Sequence, residues 1–218
     1  MAGLRESALY ASARRAKKRA SALIRERGLR DTGEVVEHAE LGLPSDDYVR
    51  YEASAWRWLP RALRGRTIER GDVFVDLGSG KGRVVLAAAR YPFARVIGVE
   101  ITASLTEFAR ENVARAEDRI RCGEVELVTA DVVDWPIPPD VNYVYLFNPL
   151  QGEGFRRVVA NIVSSLAERP RRLTLIYANP TMADVLDATD AFRLVEVIKN
   201  PLRPDIGPTG WVNVYESS

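Results

Sequence analysis

From Asp72 onward, short apolar runs alternate with stretches of helical spacing. Val73–Leu77 has the length and content of a buried strand, and Lys81–Tyr91 behind it reads as a helix. Val96–Glu100 predicts a second strand. Leu105, Phe108, Ala109 and Val113 then recur on one helical face, with Thr102 or Ser104 placed to cap it. Further strands are predicted over Val125–Thr129, Tyr143–Phe147 and Leu173–Ala178, with a helix over Phe155–Leu166 between the last two. A short helix follows from Met182. The final strands, Leu194–Lys199 and Trp211–Glu216, are separated only by a loop rich in proline and glycine, so they are expected to pair as an antiparallel hairpin. Strands that alternate with helices imply an α/β fold: a doubly wound sheet of about seven strands, mostly parallel with an antiparallel last strand, and helices on both faces.

Ahead of this unit the texture differs. Gly28 to Asp47 is a connector rich in breakers and carboxylates. Tyr48 to Arg64 reads as a helix until Pro60 interrupts it, and it carries Tyr48, Tyr51, Trp56 and Trp58. Residues 1–65 are therefore expected to form an N-terminal helical extension, or lid, and residues 66–218 the main domain. The chain has 218 residues, 46% of them hydrophobic, which suits one domain with a core and argues against disorder. Apolar runs such as Val84 to Ala89 fall far short of the roughly 18 residues of a membrane span. One cysteine, Cys122, excludes an internal disulfide, and one histidine, His38, excludes a histidine-based metal site. A reducing, cytoplasmic setting fits this usage. Net charge is +1, but residues 1–30 hold nine basic and two acidic residues, so that arm is +7 and the remainder −6. Such an arm reads as a solvated helix, with an acidic partner, a membrane surface or a transit peptide as alternatives.

The most informative stretch is VFVDLGSGKGRVVLAAA, from Val73 to Ala89. A strand ends at Asp76, and Gly78, Gly80 and Gly82 lead into a helix. Glycines there let backbone approach a ligand at the carboxyl edge of the sheet. The turn is neither a GxxxxGK[ST] phosphate loop, since Gly82 follows Lys81, nor a GxGxxG dinucleotide fingerprint. Glu100 ends the second strand in VIGVE, where a carboxylate can accept both hydroxyls of a ribose. Asp131 follows the third strand in TADVVDW, where it can meet an exocyclic amino group of adenine. Together these describe a nucleoside with no phosphate to cradle.

These motifs resemble those of the class I, Rossmann-like S-adenosylmethionine (AdoMet)-dependent methyltransferases, over roughly Asp72 to Glu216. The resemblance implies that Asp76, Gly78, Ser79, Gly80 and Gly82 hold the methionine part of AdoMet. It implies Glu100 at the ribose and Asp131 with Val132 at the adenine. After the fourth strand comes LFNPL, Leu146 to Leu150. Amine-methylating members read Asn/Asp-Pro-Pro-Tyr/Phe at that place. Asn148 and Pro149 match this pattern and Leu150 departs from it. Asn148 is thus the expected catalytic residue, next to cofactor and acceptor. Tyr48, Tyr51, Trp56, Pro149 and Asn179 are the expected substrate contacts, with Glu52 and Trp58 on the same lid. Metal-dependent relatives carry adjacent Asp-Asn after the fourth strand, whereas this chain has Phe147–Asn148, so no metal is expected. The expected acceptor is a small molecule. The alternatives are a protein lysine and a non-catalytic AdoMet-binding module, with nucleic acid disfavoured.

Overall fold

The computed structural model describes residues 28–43, 47–200 and 210–218. The basic arm, up to residue 27, and most of the loop before the last strand lie outside the described residues. Strand β1 (Val73–Leu77) is buried along its whole length, as its largely apolar run, interrupted only by Asp76, suits in a strand covered on both faces. It pairs in parallel with β2 (Arg95–Glu100) on one side and β4 (Val141–Leu146) on the other. The full sheet adds β3 (Glu124–Thr129), β5 (Thr174–Ala178), β6 (Phe192–Ile198) and β7 (Val212–Ser217). Its order is β3-β2-β1-β4-β5-β7-β6. The chain winds outward from β1 to β3, then returns beside β1 to wind the other way. The point of reversal, between β1 and β4, is where open α/β sheets form a ligand crevice. Strand β7 lies antiparallel between β5 and β6, so the expected hairpin is present and its second strand is the one inserted into the sheet.

Helices cover both faces. Helices α2 (Trp58–Ala62), α3 (Arg83–Ala88) and α4 (Ala103–Arg115) sit over one apolar layer, which includes Phe74, Phe93, Val96 and Tyr145. Helix α5 (Gly152–Glu168) and the short α6 (Ala183–Asp187) cover the other, with Phe155 stacked on Tyr177 at 5.1 Å. Glycine occurs inside β2 because a Cβ at Gly98 would stand 2.7 Å from Val85 and 2.9 Å from Leu127.

The segment before β1 differs from its sequence pattern. Residues 48–57 are not helical. Tyr48 forms an isolated bridge with Leu150, and Tyr51 forms one with Val36. Helix α2 starts only at Trp58 and keeps Pro60 in its first turn, where a missing N–H leaves no helical bond unmade. The other helix of this segment, α1 (His38–Leu41), is a single turn. Trp56 was expected to touch substrate, and this is corrected. It is 9% exposed, packed in the core, with the Arg83 and Arg90 guanidinium groups 5.5 and 5.7 Å from its ring. Cys122 is buried beside β3, where desolvation raises its thiol pKa, and it donates to the Glu124 carbonyl at 3.3 Å. Truncating a buried tryptophan removes area and leaves a cavity, so Trp56→Ala should cost about 3–5 kcal/mol of stability in urea denaturation. A loss below about 1 kcal/mol would return Trp56 to the surface.

Candidate cofactor site

The glycine turn is shaped by what presses on it. Gly80 has φ of +52°, and a Cβ there would lie 2.1 Å from Cε2 of Tyr51. Gly78 has φ of +83°, and its Cβ would lie 2.6 Å from that of Pro149. Both positions therefore exclude a side chain on backbone and on spatial grounds. Gly82 instead faces α4, with Ala109 2.9 Å from its would-be Cβ.

Two carboxylates end the adjacent strands β1 and β2. Glu100 is 7% exposed, and both its oxygens are used: Oε2 accepts the Gly80 N–H at 2.8 Å and Oε1 the Thr102 N–H at 2.9 Å. Burial raises its pKa against the pull of those N–H groups. Asp76 is 3% exposed and makes no side-chain hydrogen bond among the described residues. Burial, reinforced by the nearby Glu100 charge, holds its pKa well above the usual carboxylate range. A desolvated carboxylate with no partner suits a cation arriving from outside.

Beside them lies a small cleft, open to solvent on one side. Gly78, Glu100, Thr102, Val132, Asn148 and Pro149 line it from the sheet edge. Tyr48, Tyr51 and Glu52 line it from the N-terminal segment. The expected site residues thus converge, with exceptions. Asp76, Ser79, Gly80, Gly82, Trp56 and Asn179 are not on its wall, and Asp131 opens on a neighbouring hollow with Asp47, Asp134, Glu153 and Arg157. Asp131 is already engaged: Oδ1 accepts the Val133 N–H at 2.9 Å, and Oδ2 accepts the Tyr48 hydroxyl. The two Asn-Pro turns adopt left-handed backbone at Asn148 and Asn179, with φ of 43° and 59°. They are neighbours, because Thr181 donates to Asn148 Oδ1 at 3.4 Å. Asn148 reaches the cleft and Asn179 does not. Among the described residues no group of three or more His, Cys, Asp or Glu is placed to hold a metal ion. No helix among them is long and apolar enough to cross a membrane.

A family model described as a methyltransferase domain matches residues 74–169, from β1 through α5. Residues 74–169 carry a methyltransferase domain. Ribosomal protein L11 methyltransferase of Thiobacillus denitrificans is 32% identical over 89 residues, covering 37% of this chain and 28% of that protein. The match thus spans under a third of the relative's length. A candidate RNA methyltransferase from Pyrococcus horikoshii superposes with a TM-score of 0.56 at 18% identity, covering 93% of this chain and 98% of the other. An RNA methyltransferase from Salinibacter ruber, solved with S-adenosyl-L-homocysteine, gives 0.50 at 22% identity, covering 75% and 91%. At these identities the structural likeness is one of fold. The expectation of a small-molecule acceptor, with nucleic acid disfavoured, is corrected, because these relatives are named for RNA or for a ribosomal protein.

Two residues of the methyltransferase domain escaped the sequence reading. Lys81 is 3% exposed, with Nζ 3.2 Å from Glu34 Oε2. Arg83 is 7% exposed and donates to Thr32 Oγ1 at 2.7 Å and to the Ser54 carbonyl at 3.2 Å. Both cations lie under the N-terminal segment. The available signal was two basic residues in a glycine turn that is not a phosphate loop.

The Asp76 carboxylate gives a test with a definite sign. Its folded pKa is raised, so wild-type stability falls as pH rises from about 4, the ordinary carboxylate range, towards the folded value. Asp76→Asn removes that loss. The variant should be more stable than wild type by about 1 kcal/mol at pH 8 and lose this advantage near pH 4, while cofactor affinity falls at least tenfold. Urea denaturation at both pH values and calorimetry check it. An unpaired, functional carboxylate is contradicted if Asp76→Asn is less stable at pH 8.

Proposed function

We propose that the chain is an AdoMet-dependent methyltransferase acting on a nitrogen of a protein side chain. The observation that carries the cofactor assignment is Asp76, a buried carboxylate without a partner beside the glycine turn. It suits the α-ammonium of AdoMet. Glu100 would meet the ribose with the acceptor capacity its two N–H bonds leave over. Val132 and Asp131 would flank the adenine. When bound, AdoMet supplies a methyl group on an activated sulfonium. The chain's share is to bind, exclude water and orient an acceptor.

Asn148 is the proposed orienting residue. Its amide oxygen lies at the cleft beside the end of β4 and can accept an N–H, leaving the nitrogen lone pair free to be aimed. Only a weak contact from Thr181 competes for it. Support for a protein acceptor comes from the curated relative named for a ribosomal protein and from the charge around the cleft. Asp47, Glu52, Asp134 and Glu153 outnumber Arg50 and Arg157 there, which suits a cationic polypeptide segment.

Transfer of labelled methyl from AdoMet to ribosomal protein and RNA fractions tests the reading. Label is expected in material sensitive to protease and resistant to ribonuclease. Label only in ribonuclease-sensitive material would make the acceptor RNA, and absence of transfer to either would remove the enzymatic reading. Asn148→Ala should keep cofactor affinity and lower turnover about tenfold, the equivalent of about 1.4 kcal/mol of orientation. Equal losses of affinity and rate would make it a turn residue only.

A further inference from the structure

The glycine turn holds more positive charge than a turn needs, and that charge is spent on the chain's own N-terminal segment. Two runs of that segment are involved. The first, around Thr32 and Glu34, takes the Arg83 and Lys81 contacts, and Lys81 Nζ also reaches the Glu34 carbonyl at 3.3 Å. The second, Asp47 to Glu52, crosses the cleft. It is tied to the end of β4 and the start of α5: Val49 N–H donates to the Pro149 carbonyl at 3.4 Å, and Gln151 N–H to the Asp47 carbonyl at 2.8 Å. The runs are joined to each other. Val36 and Tyr51 exchange backbone bonds of 3.2 and 3.0 Å, and the Tyr51 hydroxyl donates to the Thr32 carbonyl at 2.7 Å. Through these links Tyr51 is laid on Gly80, with Lys81 Nζ 5.3 Å from its ring centre, and Tyr48 is held on Asp131.

We propose that Lys81 and Arg83 are positioning residues that moor a gate, so that the run Asp47–Glu52 encloses the cofactor and must release before it enters or leaves. The proposal rests on the reading of the cleft as the AdoMet site. Its geometry is specific: the crossing run touches the glycine turn through Tyr51, the end of β3 through Tyr48 and the end of β4 through Val49. The run therefore forms one wall of the cleft and stands beside the path of a ligand held between these points. Mooring strength then sets both rates of exchange. Loosening it raises association and dissociation together, because both pass through the open form. Simple damage to the pocket raises dissociation alone.

The test alters the N-terminal partners of the mooring and leaves the cleft residues unchanged. Association and dissociation of S-adenosyl-L-homocysteine are measured by surface plasmon resonance on the whole chain. For Thr32→Val, which removes the acceptor of a charged hydrogen bond, both rates should rise about tenfold. For Glu34→Gln, an exposed residue whose replacement keeps its shape, both should rise about threefold. Hydrogen exchange in residues 47–52 should quicken in the same order, and saturating ligand should slow it in wild type. Should Thr32→Val fail to fold, Glu34→Gln carries the test. Unchanged association in every folded variant overturns the gate and leaves the cofactor assignment intact. A wild-type chain that binds no S-adenosyl-L-homocysteine overturns both.

Discussion

Two carboxylates buried at adjacent strand ends set the terms for the rest of this molecule. Removing a charge from water is costly unless it is paired or hydrogen-bonded. Glu100 meets the requirement with backbone: the Gly80 and Thr102 N–H groups point at its two oxygens. That arrangement fixes the course of the glycine turn and the start of α4 together. Asp76 has no such provision. Its carboxyl is buried, with its pKa held well above the usual range, close to the point where the sheet reverses its winding.

Packing supplies the rest of the enclosure. Gly78 lies against Pro149 and Gly80 against Tyr51, so the turn after β1, the turn after β4 and the N-terminal segment meet with no room for a side chain between them. Asn148 is left facing the cleft because its strand-end turn takes a left-handed backbone, which asparagine tolerates better than most residues. The basic residues of the glycine turn point away from the cleft and under the N-terminal segment.

The sheet and the strand ends that border the cleft were legible in the sequence. Strand β1 is buried on both faces, so it is apolar but for Asp76 and its limits at Val73 and Leu77 are plain. Each of the two acidic strand ends was marked by a carboxylate following three or four apolar or small residues. The segment before β1 was not legible. Its aromatic content suggested a helix, but Tyr48 and Tyr51 form single bridges with partners remote in sequence, Leu150 and Val36. Local propensity carries no trace of such contacts. The same holds for Trp56: an aromatic residue in a core and one in a binding site look alike until the packing is seen. The burial of Lys81 and Arg83 follows from that unforeseen path. The acceptor was misjudged because nothing in the strand-end motifs describes the partner surface, and the names of the relatives corrected it.

The most direct test of the account is a crystal structure of this chain with S-adenosyl-L-homocysteine. The account predicts the ligand's ammonium within hydrogen-bonding distance of Asp76, its ribose hydroxyls against Glu100, and Tyr51 still lying on Gly80 above it. A ligand bound elsewhere, or one bound in the cleft that leaves Asp76 without a partner, would contradict it.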